Sequence, residues 1–404
     1  MDVKRVYSMT AEELKRAFRK ASRDKLSNPK YWDALMYRTS VLRSSFSLND
    51  VSWILESLAG YPRYSSTLFL KYLVDPLPTK GQTVMDATMI LRSVRKLSRG
   101  QLAVDLDQQV QFIIAEKISN SISIRDVGVI ARVLSSSSNI LPPLDQRLRS
   151  ILVNTKVERI SSPSTVLSIL KYMVMTRVSA DVQDCDDEPF FATSDDNSSS
   201  SNTETLKEWF SKGISLSPKF NAKDVLDFAI CVERLAAEDR LVVLGHPSAG
   251  PLCGVISRLV RQNVKLMKID GLVRVMSLEI DIDRSVVEKE LQYRSRELNY
   301  SNSLKLALEC GETGIAESVL ARLHRFDCVQ AMSPADLIQL GNSVVLQSRS
   351  PLCDSLLKAC LPVARKAAPT EVAQVVALYT RMGLSHELED AITRKGTKSK
   401  LHNS

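Results

Sequence analysis

Ser123-Ile124-Arg125-Asp126-Val127-Gly128-Val129-Ile130-Ala131-Arg132-Val133-Leu134 carries the theme of this chain. A hydroxyl residue is followed three positions later by a carboxylate. Val127, Ile130, Ala131 and Leu134 then return at the three- and four-residue spacing of one helix face. The pattern predicts a helix start, because an N-cap oxygen and an early carboxylate satisfy free N–H groups and complement the helix dipole.

The same opening recurs along the chain. It is found at Thr10-Ala11-Glu12-Glu13-Leu14, Ser47-Leu48-Asn49-Asp50-Val51, Gln82-Thr83-Val84-Met85-Asp86 and Ser161-Ser162-Pro163-Ser164-Thr165-Val166. Later instances are Asn221-Ala222-Lys223-Asp224-Val225, Ser333-Pro334-Ala335-Asp336-Leu337 and Ala368-Pro369-Thr370-Glu371-Val372. Proline in the first turn fits, since its missing N–H has no helical partner there. With the acidic or hydroxyl residue as ruler, Glu13, Asp50, Asp86, Asp126 and Thr165 follow one another at 37, 36, 40 and 39 residues. The step from Thr165 to Asp224 is 59 and that from Asp336 to Glu371 is 35; weaker starts near Asp270 and Asn302 divide the interval between Asp224 and Asp336.

Each first helix keeps an apolar face, as in Val225, Phe228, Ala229, Val232 and Leu235, or Val372, Val375, Val376 and Tyr379. A second helix follows, as in Leu106, Val110, Ile113 and Ile114, or Leu144, Leu148, Ile151 and Leu152. Neither face of such a hairpin is buried until the next one stacks on it. The expected fold is therefore all-α, an α-α superhelix (solenoid) of about ten helical hairpins with a period of about 33–40 residues. Residues 1–179 and 203–392 are read as the two halves of the array, and 393–404 as a basic tail. Residues 180–202, acidic and serine-rich, explain the long step and read as a disordered insert, too polar to offset the entropy of ordering.

Composition narrows the class. Of 404 residues 44% are apolar, while only 14 are glycine and 6% are aromatic, which suits helix-on-helix packing better than a turn-rich β fold. Seven scattered cysteines with no C-x-x-C pair argue for a reducing compartment and against a zinc site; Cys231 and Cys253 read as small hydrophobes in helices. Trp32, Trp53 and Trp209 read as core or edge residues. No apolar run is long enough to span a bilayer. Met9 to Lys25 is basic and amphipathic, and reads as the first helix of the array or as an organellar targeting helix, although Glu12, Glu13 and Asp24 are unusual in the latter. The nucleotide-loop, zinc-protease and serine-elbow motifs are absent. The glycine-dense Gly245-His246-Pro247-Ser248-Ala249-Gly250-Pro251 has no phosphate-loop lysine, so no catalytic residue, cofactor, metal or small-molecule substrate is assigned.

Charge points to a partner. The net charge of +8 divides into +5 for residues 1–50, +7 for 51–180, −8 for 181–208 and +4 for the remainder, so the array without its acidic stretch carries +16. Three clusters are candidate RNA-phosphate contacts: Arg92, Arg95, Lys96 and Arg99; Arg147, Arg149, Lys156 and Arg159; and Arg258, Arg261, Lys265 and Lys268. Aromatic residues follow no fixed repeat position, so no code of one base per repeat is read. The acidic insert is expected either to be passive or to compete with phosphates for the basic array.

The openings Ser162-Pro163, Ser333-Pro334 and Ala368-Pro369, with Leu or Val shortly after, resemble the heptatricopeptide-type helical repeats of organellar RNA metabolism. Seams such as Leu91-x-x-Val94-x-x-Leu97 and Ile130-x-x-Val133-Leu134 add to the likeness. Such arrays occur in FAST-kinase-domain and RAP-domain proteins and in helical subunits of mitochondrial RNA-editing complexes. No RAP-like module follows the last repeat here, so no nuclease-like activity is carried over. The resemblance implies a mitochondrial matrix protein that binds single-stranded or ribosomal RNA among the protein subunits of a ribonucleoprotein complex, in RNA processing, editing, stability or ribosome assembly. The alternatives are a protein scaffold of HEAT or armadillo type, a structural subunit of a divergent mitochondrial ribosome, and a cytoplasmic location.

Overall fold

In the computed structural model the openings predicted above become helix N-termini. The structure describes residues 3–390 except 62–66, 75–76, 79–82, 98–100, 137–138, 184–196, 236–239, 241–249, 310–314 and 344–350. Among these residues the chain is all-helical, with no strand. It forms two compact units, Met1–Leu216 and Ser217–Ser404.

The first unit contains α1 (Val3–Val6), α2 (Ala11–Arg23), α3 (Pro29–Leu42), α4 (Leu48–Gly60), α5 (Thr67–Val74) and α6 (Val84–Leu97). It continues with α7 (Gln101–Lys117), α8 (Ile124–Leu134), α9 (Pro142–Val153), α10 (Pro163–Gln183) and α11 (Asn197–Leu216). Here α2, α4, α6, α8 and α10 are the first helices of the hairpins, and each packs on the next. A second row is formed by α3 against α5, and by α7, α9 and α11 in succession.

The second unit contains α12 (Ala222–Glu233), α13 (Gly250–Asn263), α14 (Ile269–Met276), α15 (Ser285–Tyr293), α16 (Tyr300–Glu309) and α17 (Ala316–Leu323). It continues with α18 (Phe326–Ala331), α19 (Pro334–Gly341), α20 (Pro351–Ala359), α21 (Leu361–Ala364) and α22 (Pro369–Arg381). The first helices α12, α14, α16, α19 and α22 again pack in succession, with α13 on α15 and α17 on α20 behind them.

The ruler residues fall at the third helical position, the place from which a carboxylate reaches back to the N-cap. Thr10 with Glu13, Ser47 with Asp50, Asn221 with Asp224 and Ser333 with Asp336 form complete capping boxes. Ser123 and Thr83 cap α8 and α6 through the amides of Asp126 and Asp86, both at 3.1 Å. The weak start at Asn302 is capped by Asn299, which accepts from its amide at 2.8 Å. The start near Asp270 has no side-chain cap.

Taking that third position as an index, the residues one, four, five and eight places later form the core of every first helix in unit 1. They are Leu14, Ala17, Phe18 and Ala21 in α2, Val51, Ile54, Leu55 and Leu58 in α4, and their counterparts through α10, of which only Met173 is half-buried. The index residues also lock neighbours together. Lys15 Nζ lies 2.6 Å from Asp50 Oδ1, Ser52 Oγ 3.5 Å from Asp86 Oδ1, and a Cβ on Gly128 would lie 2.8 Å from Thr165 Cγ2. In each case the residue two places after one index meets the index of the next hairpin. The first helices of unit 1 therefore run parallel in one repeating register, each offset from the next by about two residues.

A second device repeats in both units and is not visible in the sequence pattern. A cation on the second helix of a hairpin donates to a carbonyl in the turn before the first helix of that hairpin. The pairs are Arg38 with Met9 (2.8 Å), Arg147 with Ile118 (3.3 Å), Lys212 with Glu158 (2.7 Å), Arg294 with Met267 (2.8 Å) and Arg322 with Leu298 (2.6 Å). Turn carbonyls carry no helical partner, so a fixed cation there closes the hairpin.

Three expectations change in detail. Helix α10 runs to Gln183 and α11 begins at Asn197, so helix covers both ends of the expected insert, while 184–196 lie outside the described residues. Val372 and Val376, expected on a buried face, are 44% and 43% exposed, because no described hairpin packs on that side of α22. Met9 to Lys25 is the first helix of the row: α2 buries Leu14 and Phe18 and packs on α4. The basic tail 393–404 and the Gly245 to Ala249 stretch lie outside the described residues. The described Cys231, Cys253, Cys328, Cys353 and Cys360 are buried thiols outside any disulfide, and burial pushes the Cys360 thiol up to about 12. No described helix is long and apolar enough to cross a membrane.

Candidate nucleic-acid interface

The first two basic clusters lie in different helix rows of unit 1, and the third lies in unit 2. Arg92, Arg95 and Lys96 lie on α6, in the row of first helices; Arg99 lies outside the described residues. Arg147 and Arg149 lie on α9, in the second row, with Lys156 and Arg159 in and beside the turn that follows. Arg258 and Arg261 lie on α13, a second-row helix of the other unit, and Lys265 and Lys268 between α13 and α14.

Four of the twelve candidates are engaged in holding the fold. Arg95 is clamped by Asp107 on α7, with Nε 2.5 Å from Oδ1, and donates to the Val133 carbonyl on α8 at 2.7 Å. It joins two hairpins, as a buried arginine does where its fork is fully used. Arg147 is the turn clamp described above. Arg149 pairs with Asp145 at 2.7 Å, and the other oxygen of Asp145 accepts from Tyr172, a phenol held well above its usual range by burial and by that carboxylate. Arg261 pairs with Asp283 at 2.8 Å, whose carboxyl is lowered by the Ser285 hydroxyl and by Arg261 itself. Arg92, Lys96, Lys156, Arg159, Arg258, Lys265 and Lys268 are exposed, with no hydrogen-bond or ion-pair partner among the described residues.

A cleft of about 410 Å³ lies between α6 and α8, lined by Arg92, Arg95, Lys96, Val129, Arg132, Val133 and Ser136. Among the described residues four cations and no carboxylate form its wall. Asp107 neutralises Arg95, which leaves Arg92, Lys96 and Arg132 facing solvent. Arg132 belongs to none of the three sequence clusters. Its guanidinium is oriented by Ser168 Oγ at 3.1 Å and Ser164 Oγ at 2.5 Å on α10, neutral acceptors that fix its position and leave its charge uncompensated.

Elsewhere the charge is mixed. Lys156 shares a wider cleft of about 760 Å³ with Glu158, Glu204, Lys207, Glu208 and Lys212, where the two signs alternate. At the other end of the row Arg19 stacks over Trp53, its guanidinium carbon 4.7 Å from the ring centroid, so Trp53 is a half-buried edge residue. Trp32 and Trp209 are core residues.

Between α6 and α8 the described residues thus present three solvent-facing cations, Arg92, Lys96 and Arg132, in a wall to which no described carboxylate contributes. No protein-family model matches the chain, and no curated protein matches its sequence.

Proposed function

We propose that this chain is a non-catalytic RNA-binding helical-repeat protein of the α-α superhelix type. Its role is in the organellar RNA processing, editing, stability or ribosome assembly that its repeat pattern resembles. One observation carries the reading: the cleft between α6 and α8, where Arg92, Lys96 and Arg132 face solvent with no carboxylate in the wall. Arg132, already held by Ser164 and Ser168, meets a phosphate with little further ordering, and the phosphate backbone supplies most sequence-independent affinity. The test is fluorescence polarisation of labelled RNA across a salt series. Three phosphate contacts at about 0.7 each predict log K falling with log salt at a slope of about −2 or steeper. Affinity independent of salt, or no binding at low salt, overturns the reading.

A specific feature of the second unit supports a protein partner alongside RNA. Leu266, Tyr293 and Phe326 are each three-quarters or more exposed. They recur at the turns between a second helix and the next first helix, turns tied in sequence by Arg294 to Met267 and Arg322 to Leu298. Large apolar side chains repeated along one edge suit a subunit of a ribonucleoprotein complex. Retention of partner proteins after nuclease digestion separates this role from RNA-bridged association.

A further inference from the structure

We infer that the first-helix row of unit 1 is a track for one extended strand of single-stranded RNA, with a phosphate-holding cation at one fixed position per hairpin and one gap, at Glu56. The inference rests on the RNA reading and adds the position of the contacts and the gap.

The capping boxes supply the frame. Six residues after the index residue, unit 1 places Arg19 in α2, Glu56 in α4, Arg92 in α6, Arg132 in α8 and Lys171 in α10. That position lies between the core positions four, five and eight places after the index. Arg19, Arg92 and Arg132 are exposed there, and Glu56 and Lys171 half-exposed. Because neighbouring first helices keep one repeating register, equal positions recur at a constant step from helix to helix, and the five side chains form a regular row across them. Two side-chain pairings fix the register: Arg19 sits over Trp53, and Arg132 reaches Ser168, each meeting the residue three places after the next index.

Unit 2 serves as an internal comparison. The same position holds Ile230, Leu308 and Ala377 in α12, α16 and α22, and Ser277 and Asn342 just past the ends of α14 and α19. The hairpin fold does not require a cation there, so four in five helices of unit 1 mark a surface property and not a packing rule. Helices packed at ~8–10 Å between axes give four steps of the row a length of roughly 30–40 Å, a span for an extended strand. A-form duplex RNA presents its phosphates on two curving strands, a different geometry from one straight line of single cations.

The test is a repair of the gap. Glu56→Lys places a fifth cation in the row, and the double variant Arg92→Glu/Arg132→Glu removes two. The full chain is titrated with fluorescein-labelled oligouridine across a salt series, folding of each variant being checked by circular dichroism. Expected is a slope of log K against log salt that steepens by about 0.7 for Glu56→Lys and flattens by about 1.4 for the double reversal. Lys289→Glu/Lys366→Glu, exposed in unit 2 and outside the three basic clusters, leaves the slope unchanged. Wild-type binding with a steep slope that neither row variant moves overturns the track while the RNA reading stands; absence of RNA binding in the wild type overturns both. Duplex RNA competing as well as oligouridine overturns the single-strand assignment. Polyglutamate displacing RNA at equal charge concentration, with the same response to the variants, reassigns the row to an acidic protein segment.

Discussion

Gly128→Ala tests the stacking of hairpins more sharply than any core truncation, because two effects of known size oppose each other there. Gly128 lies inside α8, where glycine weakens a helix by about 1 kcal/mol relative to alanine, so propensity alone predicts a more stable protein. An added Cβ, however, would lie 2.8 Å from Thr165 Cγ2 and 3.3 Å from Thr165 Cα on the neighbouring hairpin. The clash with the methyl is relieved by a rotation of Thr165, whose Oγ1 is bonded to Ser162 at 3.1 Å; the close approach to the Thr165 backbone is relieved only by moving α10. Overpacking of this kind costs roughly 1–3 kcal/mol, and subtracting the propensity gain of about 1 kcal/mol leaves a net loss of up to about 2 kcal/mol. In a unit of this size that is a fall in Tm of up to roughly 8 °C, measurable by calorimetry. Gly254→Ala in α13 is the control, since nothing lies within 4 Å of the new atom and propensity acts alone, raising stability by up to about 1 kcal/mol. If Gly128→Ala matches Gly254→Ala in sign, the first helices do not pack in the register described.

Three further outcomes follow from single residues. Arg294→Met removes the cation that closes the α14/α15 hairpin on the Met267 carbonyl and should lower the stability of unit 2 by roughly 1–3 kcal/mol in urea melts; an unchanged midpoint would show that the clamp is incidental. Burial pushes the Asp336 carboxyl up, but hydrogen bonds from Ser333 and Tyr300 outweigh it and hold the group below its ordinary value. A depressed folded value stabilises fully above roughly pH 4 and is lost as pH falls through it, so Asp336→Asn should lower stability at pH 7 and flatten the acid limb below pH 4. Cys360, with its thiol pushed up to about 12 and its Sγ against Met332, should resist alkylation at pH 8 until unit 2 unfolds, read by mass spectrometry of its peptide.

The helix starts were legible in the sequence because capping is local. Ser47 and Asp50, or Ser333 and Asp336, lie three residues apart, and the bond that joins them needs no tertiary context. Core positions followed from the same frame. Where the frame lacked a neighbour it misled: Val372 and Val376 carry the right periodicity, but periodicity records a face and not whether anything packs on it. The turn clamps were illegible for the opposite reason. Arg322 donates to a carbonyl 24 residues away, an acceptor every residue type carries, so nothing in the composition of either segment marks the pair.

The same distinction explains what clustering by sequence found and missed in the interface. Cations at three- and four-residue spacing share one helix, and one helix binds little alone; a stack of hairpins brings together residues some 35–40 positions apart. Counting along the chain therefore gathered Arg95, Arg149 and Arg261, whose charge is taken up by Asp107, Asp145 and Asp283, together with Arg147, which is bonded to a turn carbonyl. It passed over Arg132, which stands alone in its helix turn and completes the cleft with Arg92 and Lys96. Net charge shares the fault, since a cation bonded within the fold counts as much as one facing solvent. Arg132 becomes visible once the hairpins are aligned at Glu13, Asp50, Asp86, Asp126 and Thr165, for it then stands in one column with Arg19, Arg92 and Lys171. The capping carboxylates that start the helices thus also fix the height at which each hairpin presents its charge. Displacing one index residue without changing any cation should disturb the row as much as removing a cation from it.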